Sequence, residues 1–89
     1  MALTFIPVDI LFEDWKDSLL ECTIIKENGT ELKAEGMPNN EDGKDYIMFK
    51  YGVDVSQGDV IINEDGNFVV NKIKVNKYGG EPNSVDAFI

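Results

Sequence analysis

The stretch Ile62-Asn63-Glu64-Asp65-Gly66-Asn67 gathers carboxylates, amides and a glycine as a calcium-binding loop does. An EF-hand loop needs oxygen ligands at positions 1, 3 and 5, glycine at 6 and glutamate at 12. With Gly66 at position 6, Ile61 falls at position 1 and Lys72 at position 12. With Gly43 there instead, the same places fall to Pro38 and Phe49. Both frames fail, and turn chemistry accounts for every residue of the stretch: a hairpin turn with Gly66 in a left-handed conformation. Nucleophilic chemistry is no better supplied. Cys22 has no histidine anywhere in the chain to deprotonate it, and Ser18, Ser56 and Ser84 stand in no elbow or triad context. Carboxylate pairs could serve acid–base catalysis, but among seventeen Asp and Glu accidental pairs are unavoidable. Asn28-Gly29-Thr30 matches a glycosylation sequon and reads as a hairpin tip, and Gly79-Gly80 reads as a turn. The residues therefore point away from an enzyme, with no catalytic, metal or cofactor site expected.

The charge balance narrows the field further. Seventeen acids face eight lysines, with neither arginine nor histidine, for a net charge of −9. Nucleic-acid binding runs on cationic contacts to phosphate, so direct binding is not expected. The acids are unevenly spread: residues 1–45 hold eleven against four lysines, and residues 46–89 hold six against four. One lone cysteine excludes an internal disulfide and suits a reducing compartment. The opening MALTFIPVDILFEDWKD lacks the basic start of a signal peptide, and no apolar run is long enough to span a membrane. A soluble, cytoplasmic protein is the expectation.

These residues need elements to position them, and the chain is expected to form one domain over residues 1–89. After an extended lead over residues 3–8, residues 9–20 (DILFEDWKDSLL) have helical periodicity, with Asp9 as the expected N-cap. Val8, Leu11, Phe12, Trp15 and Leu19 form the apolar stripe. The opposite face would present Glu13, Asp17 and Glu21 at i, i+4 and i+8, with Asp14 beside them. Like charges at that spacing destabilise a helix by a few tenths of a kcal/mol per pair, about 0.2–0.5. Two readings of this ridge stand: a solvated face, or a surface that docks on a basic protein partner.

From residue 21 onward the pattern is β. Asn28-Gly29 between two alternating runs predicts a hairpin over residues 21–36. A two-residue turn would set Ile25 opposite Leu32, Thr23 opposite Ala34 and Lys26 opposite Glu31. Cys22 is then a half-buried strand residue. Residues 37–44 read as a loop, 45–51 as a strand, and 52–58 as a brief extended piece with a turn. Residues 59–62 follow as a short strand, 67–76 as a long strand bent near Asn71, and 84–89 as a last short strand. The fold class expected is mainly β (α+β): a small β-barrel or strongly curved antiparallel sheet of about six short strands with one N-terminal helix.

That order of elements resembles small proteins encoded by phages and prophages, some of them compact barrels. GDVIINEDGNFVVNKIKV (58–75) carries the likeness, after TIIKENGTELK (23–33) and the acidic helix. The chain is also similar, more loosely, to the head-closure (neck) proteins of tailed phages, in which a "GD-V" strand precedes a glycine turn. Gly58, Asp59, Val60, Gly66, Phe68 and Val70 are the comparable residues, with Phe68 where tyrosine is usual. The resemblance implies a non-enzymatic module acting through protein–protein contacts, with itself or with an assembly neighbour. Strand edges and the loops 37–44 and 77–84 would carry those contacts. The alternative is an acidic inhibitor that mimics nucleic acid and binds a basic host protein through Glu13, Asp14, Asp17 and Glu21.

Overall fold

The computed structural model describes residues 7–89. The chain forms a short helix, α1 (Val8–Asp14), a 3-10 turn (Lys16–Ser18) and seven strands. The strands are β1 (Leu20–Ile25), β2 (Glu31–Glu41), β3 (Lys44–Lys50), β4 (Val60–Asn63), β5 (Gly66–Val69), β6 (Lys72–Tyr78) and β7 (Glu81–Phe88). All pair antiparallel in one curled sheet of order β5-β4-β1-β2-β3-β7-β6. The mainly β, strongly curved architecture expected from the sequence is what the structure has.

Two features curl the sheet. β2 serves two partners: residues 31–36 pair with β1, and residues 37–41 pair with β3. At the changeover stands Gly36, where an added Cβ would meet the side chains of Ile47, Phe49 and Cys22. Its missing side chain lets the strand bend across the core. The second feature is the segment between β5 and β6. Val70 N–H donates to the Asp59 carbonyl at 2.9 Å, and Asn71 N–H donates to the Phe88 carbonyl at 2.7 Å. One continuous chain thus ties the two ends of the sheet together. The bend expected near Asn71 is a full break, with β5 and β6 at opposite edges.

Inside the curl lie Cys22, Ile24, Ile47, Phe49, Val55, Ile61, Val70, Val85 and Ala87. On the outer side α1 lays Val8, Leu11 and Phe12 over Met37, Tyr46 and Met48. β3 is therefore buried on both faces, which explains its unbroken apolar run Tyr46-Ile47-Met48-Phe49.

Four expectations need correction. The first is the loop over 77–84, which is the end of β6, a turn at Gly79-Gly80 and the start of β7. The β1–β2 register is displaced by one: Ile24 opposes Leu32, Ile25 opposes Glu31, Thr23 opposes Lys33 and Cys22 opposes Ala34. Lys26 N–H donates to the Thr30 carbonyl and Gly29 N–H to the Lys26 carbonyl, so the loop holds three residues, with Gly29 at φ 88°. That slip turns Cys22 and Ile24 fully inward in place of Thr23 and Ile25. Cys22 is accordingly buried rather than half-buried. Residues 37–44 are not a loop but the end of β2, a tight turn and the start of β3. Asp42 and Gly43 take φ 54° and 79°, the positive pair a two-residue hairpin demands. Finally, the helix ends at Asp14, well before residue 20. The stretch INEDGN is the β4–β5 turn, with Asn63 opposite Gly66.

Candidate contact surfaces

The acidic residues are placed by the early end of α1. Trp15 leaves the helix with φ −113° and ψ 27°, and its N–H donates to the Leu11 carbonyl at 3.0 Å. The chain then makes one 3-10 turn and enters β1 at Leu20. Glu13 and Asp14 lie at the helix end, Asp17 in the 3-10 turn and Glu21 on β1. No single helix carries them at i, i+4 and i+8, which corrects the ridge expected from periodicity. All four side chains are exposed, and Glu21 reaches Lys33 at 3.9 Å across the hairpin. Asp9, expected as N-cap, sits in the first turn; Pro7 is the cap residue, and Asp9 pairs with Lys50 at 3.1 Å.

The sequence stripe also misplaced Trp15. With the helix ended, the indole turns outward and is 57% exposed, while Ile10 on α1 is 53% exposed. Large apolar side chains in water mark contact surfaces when they cluster, and tryptophan dominates such surfaces energetically. Here they sit within one segment that also carries Asp9, Glu13, Asp14 and Asp17.

A second surface is the β6 edge. Among the described residues no backbone hydrogen bond reaches residues 72–78 except from β7. Three of the eight lysines of the chain, Lys72, Lys74 and Lys77, fall in this seven-residue strand. Val75 is exposed although Val85, opposite it on β7, is buried, so the inner apolar face runs out to an uncovered edge. Tyr78 is exposed beside it, after a bulge between Asn76 and Lys77. Lys72 stands 5.8 Å from the centre of the Phe88 ring. Beside this edge lies a depression of about 570 Å³ whose rim mixes Lys44, Lys72 and Lys74 with Glu41, Asp42 and Asp45.

Two buried carboxylates lie elsewhere, neither foreseen as special. Asp59, 2% exposed, accepts from Ser56 N–H at 2.8 Å and from the Lys26 ammonium. Burial works against the charged form of Lys26, but the bonds to Asp59 and Asp54 outweigh it and hold the ammonium above the ordinary lysine range. Lys26 also reaches Ser56 Oγ at 3.4 Å and the Asp54 carbonyl at 3.3 Å, so this network ties the β1–β2 turn to the 53–59 loop. Asp86, 3% exposed, lies on the outer face of β7 and leaves Oδ1 without a partner. Burial pushes its carboxyl up, against the opposing pull of a bond from Asn76 and the charge of Lys74. Tyr46 is pushed up to about 12, first by burial and then by the carboxylates of Asp86 and Glu41. Beside them Asn76 donates from Nδ2 to Ser84 Oγ at 3.2 Å.

Among the described residues, no three of the Cys, Asp and Glu side chains gather as a metal site would. No described helix is long and apolar enough to cross a membrane. Comparison with protein-family models, curated proteins and solved structures finds no match to this chain.

Proposed function

We propose that this chain is a non-catalytic assembly module of the phage or prophage type, working through protein–protein contacts in the cytoplasm or within a virion. The observation that carries this reading is the outward-facing indole of Trp15, on a segment that also exposes Ile10, Asp9, Glu13, Asp14 and Asp17. An exposed aromatic on a segment rich in charge suits an interface, in which a few buried aromatics hold most of the binding energy. The order of strands and the "GDVI, turn, glycine" ending support the phage type. The nucleic-acid mimic drew on a regular row of charges along one helix, and the seven residues of α1 do not provide that row.

The reading is tested by light scattering behind size-exclusion chromatography, comparing the wild type with Trp15→Gln. Trp15 is 57% exposed, and far-UV circular dichroism checks that the variant keeps the parent fold. The expected result is association above monomer mass in the wild type, weakened at least tenfold in the variant. Equal masses for the two proteins at every concentration overturn the role given to Trp15.

A further inference from the structure

The two surfaces described above carry opposite charges. Within one molecule Lys72 lies over the Phe88 ring and Lys74 stands opposite Asp86, but among the described residues neither lysine makes an ion pair. The first offers Trp15 and Ile10 with Glu13, Asp14 and Asp17. The second is the β6 edge, with Val75 exposed on the inner face, Lys72 and Lys74 on the outer face, and Lys77 and Tyr78 past the bulge. The ion pairs among described residues join Lys26 to Asp54 and Asp59, Lys33 to Glu21, and Lys50 to Asp9. None joins the acids of the first surface to the lysines of the second. α1 packs over β2 and β3, with Val8 N–H donating to Asn83 Oδ1 on β7 at 2.9 Å, while Trp15 and Asp17 lie past its C-terminal end on the way to β1. We propose that β6 of one copy receives the Trp15 segment of a second copy, so that the chain associates head to tail. This rests on the assembly reading and names the partner as the chain itself.

Three arguments commit the site to that occupant. Charge is the first. A chain of net charge −9 repels its own kind in general, and only a local concentration of lysines can offset this. β6 supplies three lysines in seven residues, although Glu41, Asp42 and Asp45 share the rim beside it. These lysines act within the screening length of about 8 Å at physiological salt once the segments meet. The second is apolar match: the exposed indole and Ile10 have an uncovered valine and tyrosine to cover. The third concerns the mode of contact. Lysines on an edge strand, together with a bulge, disfavour the addition of a like strand. They do not disfavour a helix end and a 3-10 turn that bring carboxylates and an indole through side chains alone. Because the contacting surfaces differ, the contact is heterologous, and repetition gives a closed ring or an open filament.

The experiment is a charge exchange read by sedimentation velocity. One variant carries Glu13→Lys, Asp14→Lys and Asp17→Lys; the other carries Lys72→Glu, Lys74→Glu and Lys77→Glu. Every altered side chain is exposed, and far-UV circular dichroism checks the fold. The expected result is that each variant alone stays monomeric where the wild type associates, and that an equimolar mixture regains the wild-type mass distribution. Single replacements Asp17→Lys and Lys74→Glu, mixed in the same way, repeat the comparison should a triple variant unfold. A mixture that stays monomeric overturns the proposal. So do variants that associate as the wild type does, an outcome that leaves self-assembly standing by another surface. A wild type that is monomeric throughout overturns the proposal and the self-association expected above together.

Discussion

Replacing Gly36 by alanine tests what bends the sheet. A methyl group at this position would stand 2.5 Å from Ile47 Cγ2, 2.9 Å from Phe49 Cε1 and 3.3 Å from Cys22 Sγ. Carbon atoms rest at about 3.5–4.0 Å, so the Ile47 methyl would have to retreat by about 1 Å. It has nowhere to go, since Ile47, Phe49 and Cys22 are all buried in the same cluster. Gly36 is not among the residues with positive φ, so the strain is one of packing and not of backbone. Overfilling a packed core costs about 1–3 kcal/mol, and the stiffer unfolded chain of alanine returns about 0.4–1 kcal/mol. The two ranges leave a net of about 0–2.6 kcal/mol. An approach as close as 2.5 Å puts the overfilling in its upper half, so the expectation is a loss of about 1–2 kcal/mol. That lowers the thermal midpoint by about 5–15 °C in a domain this small. Urea melts followed by circular dichroism give the value. Ile47→Ala alone should cost about 2–5 kcal/mol by opening a cavity. The double variant should cost at least about 1 kcal/mol less than the sum, because each change relieves the other. A neutral Gly36→Ala, or strict additivity with Ile47→Ala, refutes the reasoning.

The buried polar groups give three further outcomes. Because burial raises the carboxyl of Asp86, the native state keeps its proton to higher pH than the unfolded chain does. The stability tied to this group is full below the ordinary carboxylate range and is lost as pH rises through the native value. Asp86→Asn should therefore stabilise the protein at neutral pH and flatten the pH dependence of its urea midpoint. Asp59→Asn leaves the Lys26 ammonium with only the exposed Asp54 carboxylate and should cost about 3 kcal/mol in the same melts, against little for Asp54→Asn. The Cys22 thiol, pushed up by burial, should resist alkylation in the native protein and react at once in denaturant, with mass spectrometry as the readout.

The residues explain how much of this was legible. Alternation and turn dipeptides located β1, β3 and β4; the change of pattern at Asn71 was read as a bend within one strand, where the structure breaks between β5 and β6. Register was lost at Asn28-Gly29, because that dipeptide fits a two-residue loop and a three-residue loop equally. The bond from Thr30 N–H to Asn28 Oδ1, 3.0 Å, belongs to the longer form seen here. Asp42-Gly43 carried the same hairpin signal and was masked by the polar run around it. The helix was overextended because Trp15 and Leu19 continue the apolar spacing. No cap residue marked the stop at Asp14, and the pairing of Leu20 with Gly36 decides where β1 starts. Glu13, Asp14, Asp17 and Glu21 were foreseen as exposed acids, but their arrangement depended on that helix end. The Lys26–Asp59 pair, 33 residues apart, and the lysine edge of β6 are products of topology that local spacing does not encode.

Trp15 is the only tryptophan in the chain, so its fluorescence reports on the surface on which the account rests. The decisive measurement is its emission and acrylamide quenching along a dilution series, with light scattering on the same samples at low and moderate salt. The account predicts that mass rises with concentration while the emission shifts to the blue and quenching falls. Monomer mass with a fully quenchable, water-exposed indole at the highest concentration would contradict it.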